Sequence, residues 1–248
     1  MSTYKKLPRI SEGTYSESIF DRKKLPERVI LLSGTYIPRR IKTLKTCFDE
    51  FKFYRKNWVS YGYGKINGEE FLVVTNIYGG AMMLETLQIL RDGRARKVFF
   101  IGSAGGKEQE IGTIIIPERV LDYAGIVQLI KNKREISQEK KRVKEIEREL
   151  RRINHPYEKG VVISVPAVLH DEKELIKKFE SDSSIRAVEL ELSTFIYFSK
   201  KWFKSYAAIY ISDNQEKHLL EEERVITRKR LRAIRILGRI ATRLLLEE

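Results

Sequence analysis

The chain reads as an α/β protein with a mixed central β-sheet flanked by helices, and three observations point there. Short apolar β-type runs alternate with amphipathic helical stretches almost from end to end. That pattern places strands in a sheet covered on both faces. One strand pair is joined too tightly for a parallel crossover: WVSYGYGKINGEEFLVVTNI at 58–77 reads as a hairpin turning at Asn67-Gly68, so the sheet is mixed. Finally, 248 residues with 42% hydrophobic and 33% charged side chains suit one folded domain, taken as 1–248, and not a disordered chain.

The elements follow in order. VILLSG at 29–34 is a buried strand, followed by an amphipathic stretch from Ile37 to about Phe51. After the hairpin, Gly79-Gly80 opens a helix from about Ala81 to Arg91, and Asp92-Gly93 stops it. KVFFIG at 97–102 and GTIIIPERV at 112–120 are strands, and a charged helix is expected over roughly 126–153, broken by His155-Pro156. GVVISVP at 160–166, a helix from Asp171, AVEL at 187–190 with a helix behind it, and YAAIYIS at 206–212 continue the alternation. A long helix from about Lys217 closes the chain.

The net charge is +14, from 48 Lys and Arg against 34 Asp and Glu. Much of it lies in 131–152 and 217–246, where Glu is interleaved with the basic residues. In the first segment Ile136, Val143, Ile146, Leu150 and Ile153 keep helical spacing, so the charges belong to a solvated helix face. RNA-recognition aromatics, zinc spacing and a basic arm are all missing. The surplus is therefore expected to serve surface helices and an anionic ligand, with no specific nucleic-acid partner. No apolar run approaches the roughly 20 residues that span a bilayer, so no membrane partner is expected. The start lacks an apolar signal region, and a single cysteine, Cys47, excludes an internal disulfide framework. Both favour a cytoplasmic location, and the Lys, Arg and Glu content leans towards a thermophilic source.

Ligands of α/β sheets gather where strands end and loops lead into helices, and four strand ends carry chemistry. The first is Ser33-Gly34-Thr35, with Arg39 and Arg40 behind it. A small turn exposes backbone N–H groups, and arginine forks suit phosphate oxygens. The second is Ile101-Gly102-Ser103-Ala104-Gly105-Gly106. Its glycines admit a ligand to the backbone, and Ser103 can donate to an oxyanion. It is neither a Walker loop nor a dinucleotide fingerprint. The third, Val188-Glu189-Leu190-Glu191, runs into an apolar helix; a carboxylate there either caps the helix or accepts the hydroxyls of a ribose. The fourth is Ile211-Ser212-Asp213-Asn214, where Asp213 is a turn residue or a general acid.

Taken together and in this order, these segments resemble the purine nucleoside and uridine phosphorylase superfamily over about residues 28–240. VILLSG with its downstream arginines is similar to the family's phosphate loop, and IYGGAMMLETLQIL to the turn and helix before its central strand. FFIGSAGG with EIGTIIIPERV resembles the central Gly-Ser/Thr-x-Gly loop and the strand after it. VISVPAVL resembles the base-pocket strand, AVELELSTFIY the Val-Glu-Met-Glu-Ala helix start, and YISD the Ser-Asp strand end.

The resemblance implies cleavage of the bond between a nucleobase and its ribose. It gives Asp213 the catalytic role towards the departing base. Glu191, Leu190, Glu189, Val168 and Ser212 fall on the substrate, and Gly34, Arg39, Arg40 and Ser103 around phosphate. It also implies inorganic phosphate as co-substrate with no other cofactor, a purine nucleoside or uridine as partner, a role in purine salvage, and a homo-oligomer, dimer or hexamer.

The pattern departs from the family in places. The phosphate loop lacks its Asp-Pro pair, and Phe100 stands where the family has an arginine two places before the central glycine. No N-terminal histidine is available to reach a neighbouring subunit, since the histidines lie at 155, 170 and 218. The Gly-Ser-Ala-Gly-Gly loop is closer to the nucleosidase branch, although that branch's glutamates are not evident beside VILLSG. Phosphorolysis is the expected reaction. Hydrolysis of a nucleoside or nucleoside 5′-phosphate, and a non-catalytic nucleoside-binding homologue, stay open.

Overall fold

The apolar run Val29–Leu32 shows how the sheet is covered. Val29 and Leu31 point into one apolar core, Ile30 and Leu32 into another. A strand buried on both faces has no polar side to show, which is why its sequence does not alternate.

The computed structural model describes residues 14–34, 37–56, 59–167, 177, 179, 181–214 and 223–247. Among these, ten strands form one sheet: β1 (Arg28–Ser33), β2 (Glu50–Tyr54), β3 (Ser60–Ile66), β4 (Glu69–Ile77), β5 (Lys97–Gly106), β6 (Ile114–Asp122), β7 (Glu135–Ser137), β8 (Tyr157–Ser164), β9 (Ile185–Glu189) and β10 (Lys204–Asp213). It is mixed: β1 runs parallel to β4 and β5, whereas β3 is antiparallel to both β2 and β4. β10 pairs with both β5 and β6, so β5, β10, β6, β8 and β9 close on themselves. β1, β4, β3 and β2 extend from β5 as an open wing.

Helices α1 (Thr14–Phe20), α3 (Gly79–Asp92) and α6 (Leu192–Ser199) cover one face, burying Phe20, Leu87 and Phe195 with Leu31 and Phe100. Helices α2 (Pro38–Lys45), α5 (Lys140–Arg152) and α7 (Glu223–Leu246) cover the other, burying Leu44, Ile146 and Leu237 with Ile30 and Phe99. The short α4 (Ile126–Lys131) follows β6. All eight residues of α6 are buried, as an apolar helix without a polar face requires. No helix among the described residues is long and apolar enough to cross a membrane.

The hairpin turns where expected, with Asn67 and Gly68 both at positive φ, +52° and +81°. Two boundaries differ from the sequence reading. The helix expected from Ile37 to Phe51 stops at Lys45, and Glu50–Tyr54 is instead an edge strand. Its Phe51 and Phe53 pack against the second core in strand alternation. The helix expected over 126–153 is cut in two. Asn132 adopts left-handed φ of 50° and ends α4, and Glu135–Ser137 pairs with β6. The buried Gln138 amide then donates to Pro117 O at 2.9 Å and accepts the Ala207 N–H at 2.8 Å, fixing the chain before α5 begins. The helix expected from Asp171 lies almost wholly outside the described residues, as does the chain from Lys217 to the start of α7.

Candidate active site

The C-terminal ends of β1, β5, β9 and β10 lie side by side. Leu32 pairs with Ile101, while Gly105 faces Val188 on one neighbour and Asp213 on the other. Strand alternation puts Ser103 and Gly105 on the same face of β5. A Cβ on Gly105 would stand 3.4 Å from Asp213 Oδ2. Asp213 itself is exposed, and Ser212 Oγ donates to its Oδ1 at 2.5 Å. Arg230 of α7 holds this strand end by donating to the Ser212 carbonyl.

The two candidate arginines part company. Successive helix residues point about 100° apart, so α2, opened by Pro38, turns Arg39 to solvent and Arg40 inward, where it is only 6% exposed. Arg40 Nη2 donates to Ser33 O at 2.7 Å. Its Nη1 lies 3.1 Å from the point a Gly34 Cβ would occupy, and Ser103 Oγ lies 3.8 Å from the same point. Gly34, at φ +86°, gives its own N–H to Ile77 O at 2.7 Å, so that donor is not available to a ligand. What Gly34 contributes is the missing side chain, which leaves room for the guanidinium. Among the described residues Arg40 Nε is buried without a hydrogen-bond partner, and the buried Ser33 Oγ faces Glu191.

Glu191 is 3% exposed, and its Oε1 accepts the Gly79 N–H at 2.7 Å. Burial and the neighbouring Glu189 charge push its pKa up, while the Gly79 N–H, the nearby Ser33 hydroxyl and the Arg40 charge oppose the rise. Glu189 is also buried and also shifted upward by desolvation. It nevertheless collects more donors. Its Oε2 accepts the N–H groups of Glu191 and Leu192 at 2.7 and 2.8 Å, and its Oε1 accepts the Ser164 hydroxyl. With that set of donors Glu189 is the partner better able to carry the charge.

Glu189, expected on the substrate, is thus committed to the protein: it caps α6 and fixes the turn that carries Glu191. The bracing continues through Ser164 Oγ, which accepts the Ser193 N–H at 2.9 Å, and Ser193 Oγ, which donates to Asp122 at 2.8 Å. Leu190 is 7% exposed and belongs to an apolar cluster with Ile163 and Ile185. Val168 lies outside the described residues. Phe100 is fully buried, its ring stacked on Phe195 at 5.0 Å between centroids, and a Cβ on Gly102 would come within 2.6 Å of it. Core packing thus occupies the position at which the resemblance expects an arginine. Among the described residues, no group of three or more His, Cys, Asp or Glu could hold a metal ion.

Sequence reasoning singled out the Ser33 strand end but did not find Gly79, Ser164, Ser193 or Asp122 as parts of this site. Gly79-Gly80 was legible as a helix opening, and the pairing of its N–H with a residue 112 positions away was not.

The chain matches the family model described as the phosphorylase superfamily over residues 28–242. No curated protein sequence matches it. Among solved structures, it is similar to uridine phosphorylase from Vibrio fischeri ES114, with a TM-score of 0.75 and 18% identity over 89% of this chain and 92% of that one. It is also similar to 5′-methylthioadenosine/S-adenosylhomocysteine nucleosidase from Neisseria meningitidis, with a TM-score of 0.66 and 16% identity over 87% and 99%. The corresponding nucleosidase of Campylobacter jejuni gives 0.70 and 14% over 88% and 98%. At these identities the neighbours establish the fold, which phosphorylases and nucleosidases share. Sequence and fold together make this chain a member of the phosphorylase superfamily, whose enzymes cleave glycosidic bonds of nucleosides.

Proposed function

We propose that the protein splits the N-glycosidic bond of a nucleoside by phosphorolysis. The observation that carries this reading is Arg40: a buried guanidinium with an unpartnered Nε among the described residues, next to a side-chain-free Gly34 and Ser103. A buried cation with unused donors is an anion site. Phosphate held there would attack C1′ of the sugar as the C1′–N bond breaks, giving the sugar 1-phosphate and the free base. Glu191, braced by Gly79 and Glu189, accepts the ribose hydroxyls. Asp213 stabilises or protonates the base as it leaves.

Hydrolysis is the second reading, and Phe100 favours it: one arginine fewer than the family pattern weakens the hold on phosphate. The deciding experiment is base release from a panel of purine and pyrimidine nucleosides and their 5′-phosphates, with and without inorganic phosphate. Phosphorolysis requires release to depend on phosphate and to yield one sugar 1-phosphate per base. An undiminished rate in phosphate-free buffer would make the protein a nucleosidase.

A further inference from the structure

From the Ser212 end of the sheet, where Arg230 is anchored, to the opposite end, where Arg28 and Lys97 meet its last turn, α7 carries arginines at 224, 228, 232, 235, 239 and 243. Spacings of three and four align them on one face of the helix. All six are exposed, whereas Ile234, Leu237, Ala241 and Leu244 on the other face are buried. The row spans roughly 28 Å at 1.5 Å per residue. Among the described residues only Arg243 of the six meets a carboxylate, Glu149 at 2.9 Å. Like charges four apart on a helix repel one another, so the row opposes the stability of α7 unless something outside the chain neutralises it.

The C-terminal part of the row lines a groove of about 980 Å³ between α7, the C-terminal end of α5 and the β3–β4 turn. Across from α7 the groove is lined by Arg152, paired with Glu149 at 3.2 Å, and by His155, and Glu247 closes its C-terminal end. His155 Nε2 is shielded from solvent and has no hydrogen-bond partner among the described residues. The groove's place is fixed by Arg28 and Lys97, at the N-terminal ends of β1 and β5, which donate to the carbonyls of Leu245 and Glu247 at 3.2 and 2.7 Å. Among the described residues no Phe, Tyr or Trp lines it.

We propose that this groove binds the phosphodiester backbone of a nucleic acid without base preference. Guanidinium forks match phosphate oxygens in two-point contacts. The row advances 4.5–6 Å per arginine, roughly, by helix rise, and so needs a ligand whose negative charges repeat over a comparable distance. A second copy of the chain fits poorly, since each carries a net charge of +14. A lipid surface fits poorly too, because the apolar face of α7 is used by the core and cannot enter a bilayer. Without aromatic rings to stack on bases, the contacts read charge and spacing only.

The test is fluorescence anisotropy with a labelled 20-nucleotide single strand of mixed sequence, titrated at several salt concentrations. Contact with four phosphates should weaken binding about fiftyfold between 50 and 200 mM salt, with a log–log slope near −3. The triple variant Arg232→Gln/Arg235→Gln/Arg239→Gln should reduce that slope by about two. The matching triple Arg→Lys should retain it, and Lys133→Gln/Lys140→Gln/Lys141→Gln, which removes the same charge elsewhere, should also leave it in place. No binding at 50 mM salt, or an unchanged slope in the groove triple, would overturn the proposal. A tenfold preference among homopolymers would overturn it as well. So would a groove triple that only changes oligomeric state by sedimentation, which would identify an interface between copies.

Discussion

Arg40 and Arg239 sit at opposite ends of one sheet, and the same side chain does different physical work at each. Arg40 is closed off from water, spends one donor on Ser33 O, keeps an Nε without a partner among the described residues, turns Nη1 towards Gly34 near Ser103, and acts by its charge on Glu191. Arg239 lies on an open helix face among other arginines, where water and counterions screen it. In the buried pocket one charge acts through a low dielectric and is worth several exposed ones. Along α7, many charges are each worth little and act only in number. A net charge of +14 therefore says little about the pocket, which rests on one cation, and a good deal about the groove.

Substitutions in the pocket give the largest effects and can break the comparison. Arg40→Gln should weaken the use of phosphate about ten- to hundredfold, the loss of one charge-assisted contact of about 1.5–3 kcal/mol. Arg39→Gln, one position away and exposed, should cost well under tenfold. Asp213→Asn should instead lower base release by ~10²-fold at saturating phosphate, because it acts at the base end. Steady-state kinetics over a phosphate series separates the two. Equal losses at Arg39 and Arg40 would mean that burial does not select the phosphate ligand.

A smaller effect concerns the carboxylate pair. Burial raises the pKa of both Glu189 and Glu191 above the ordinary 4.5, so the folded protein binds more protons than the unfolded chain. This contribution is most favourable below the ordinary carboxylate range and is lost as pH rises towards and past neutrality. The slope is at most about 1.4 kcal/mol per pH unit for each proton taken up. Glu191→Gln removes one titrating group and should flatten the fall in stability, read by chemical denaturation between pH 5 and 9. A slope that is unchanged in the variant would place the proton elsewhere.

The strand ends were legible because each is an apolar run broken by small or charged residues, as in IGSAGG and YISD. The choice between Arg39 and Arg40 was not, since it depends on the helical phase set by where Pro38 starts α2. The bracing of Glu189 by Ser164, and of Glu191 by Gly79, joins residues far apart in sequence and has no local signature. Closure of the sheet was hidden for a related reason, because β10 pairs with two strands that nothing in its own sequence distinguishes. The short strand Glu135–Ser137 was masked by its surroundings: charged helix-forming residues flank it, and a left-handed Asn132 decides where the helix stops.

The smallest expected effect sharpens the comparison most, because its sign is opposite to that at Arg40. Arg239 stands four residues from both Arg235 and Arg243, and no carboxylate among the described residues pairs with it. Each such like-charge pair opposes the helix by about 0.2–0.5 kcal/mol. Arg239→Gln keeps a long helix-compatible side chain and removes both repulsions, so it should raise stability slightly, by at most about 1 kcal/mol. Because the repulsion crosses solvent, the gain should be greatest at low salt and fade as the Debye length falls from about 30 Å at 0.01 M to about 3 Å at 1 M. Thermal denaturation of both proteins over that salt range gives the measurement. A loss of stability independent of salt would show that the Arg239 stem packs against the groove wall, and that α7 keeps its arginines for the fold itself.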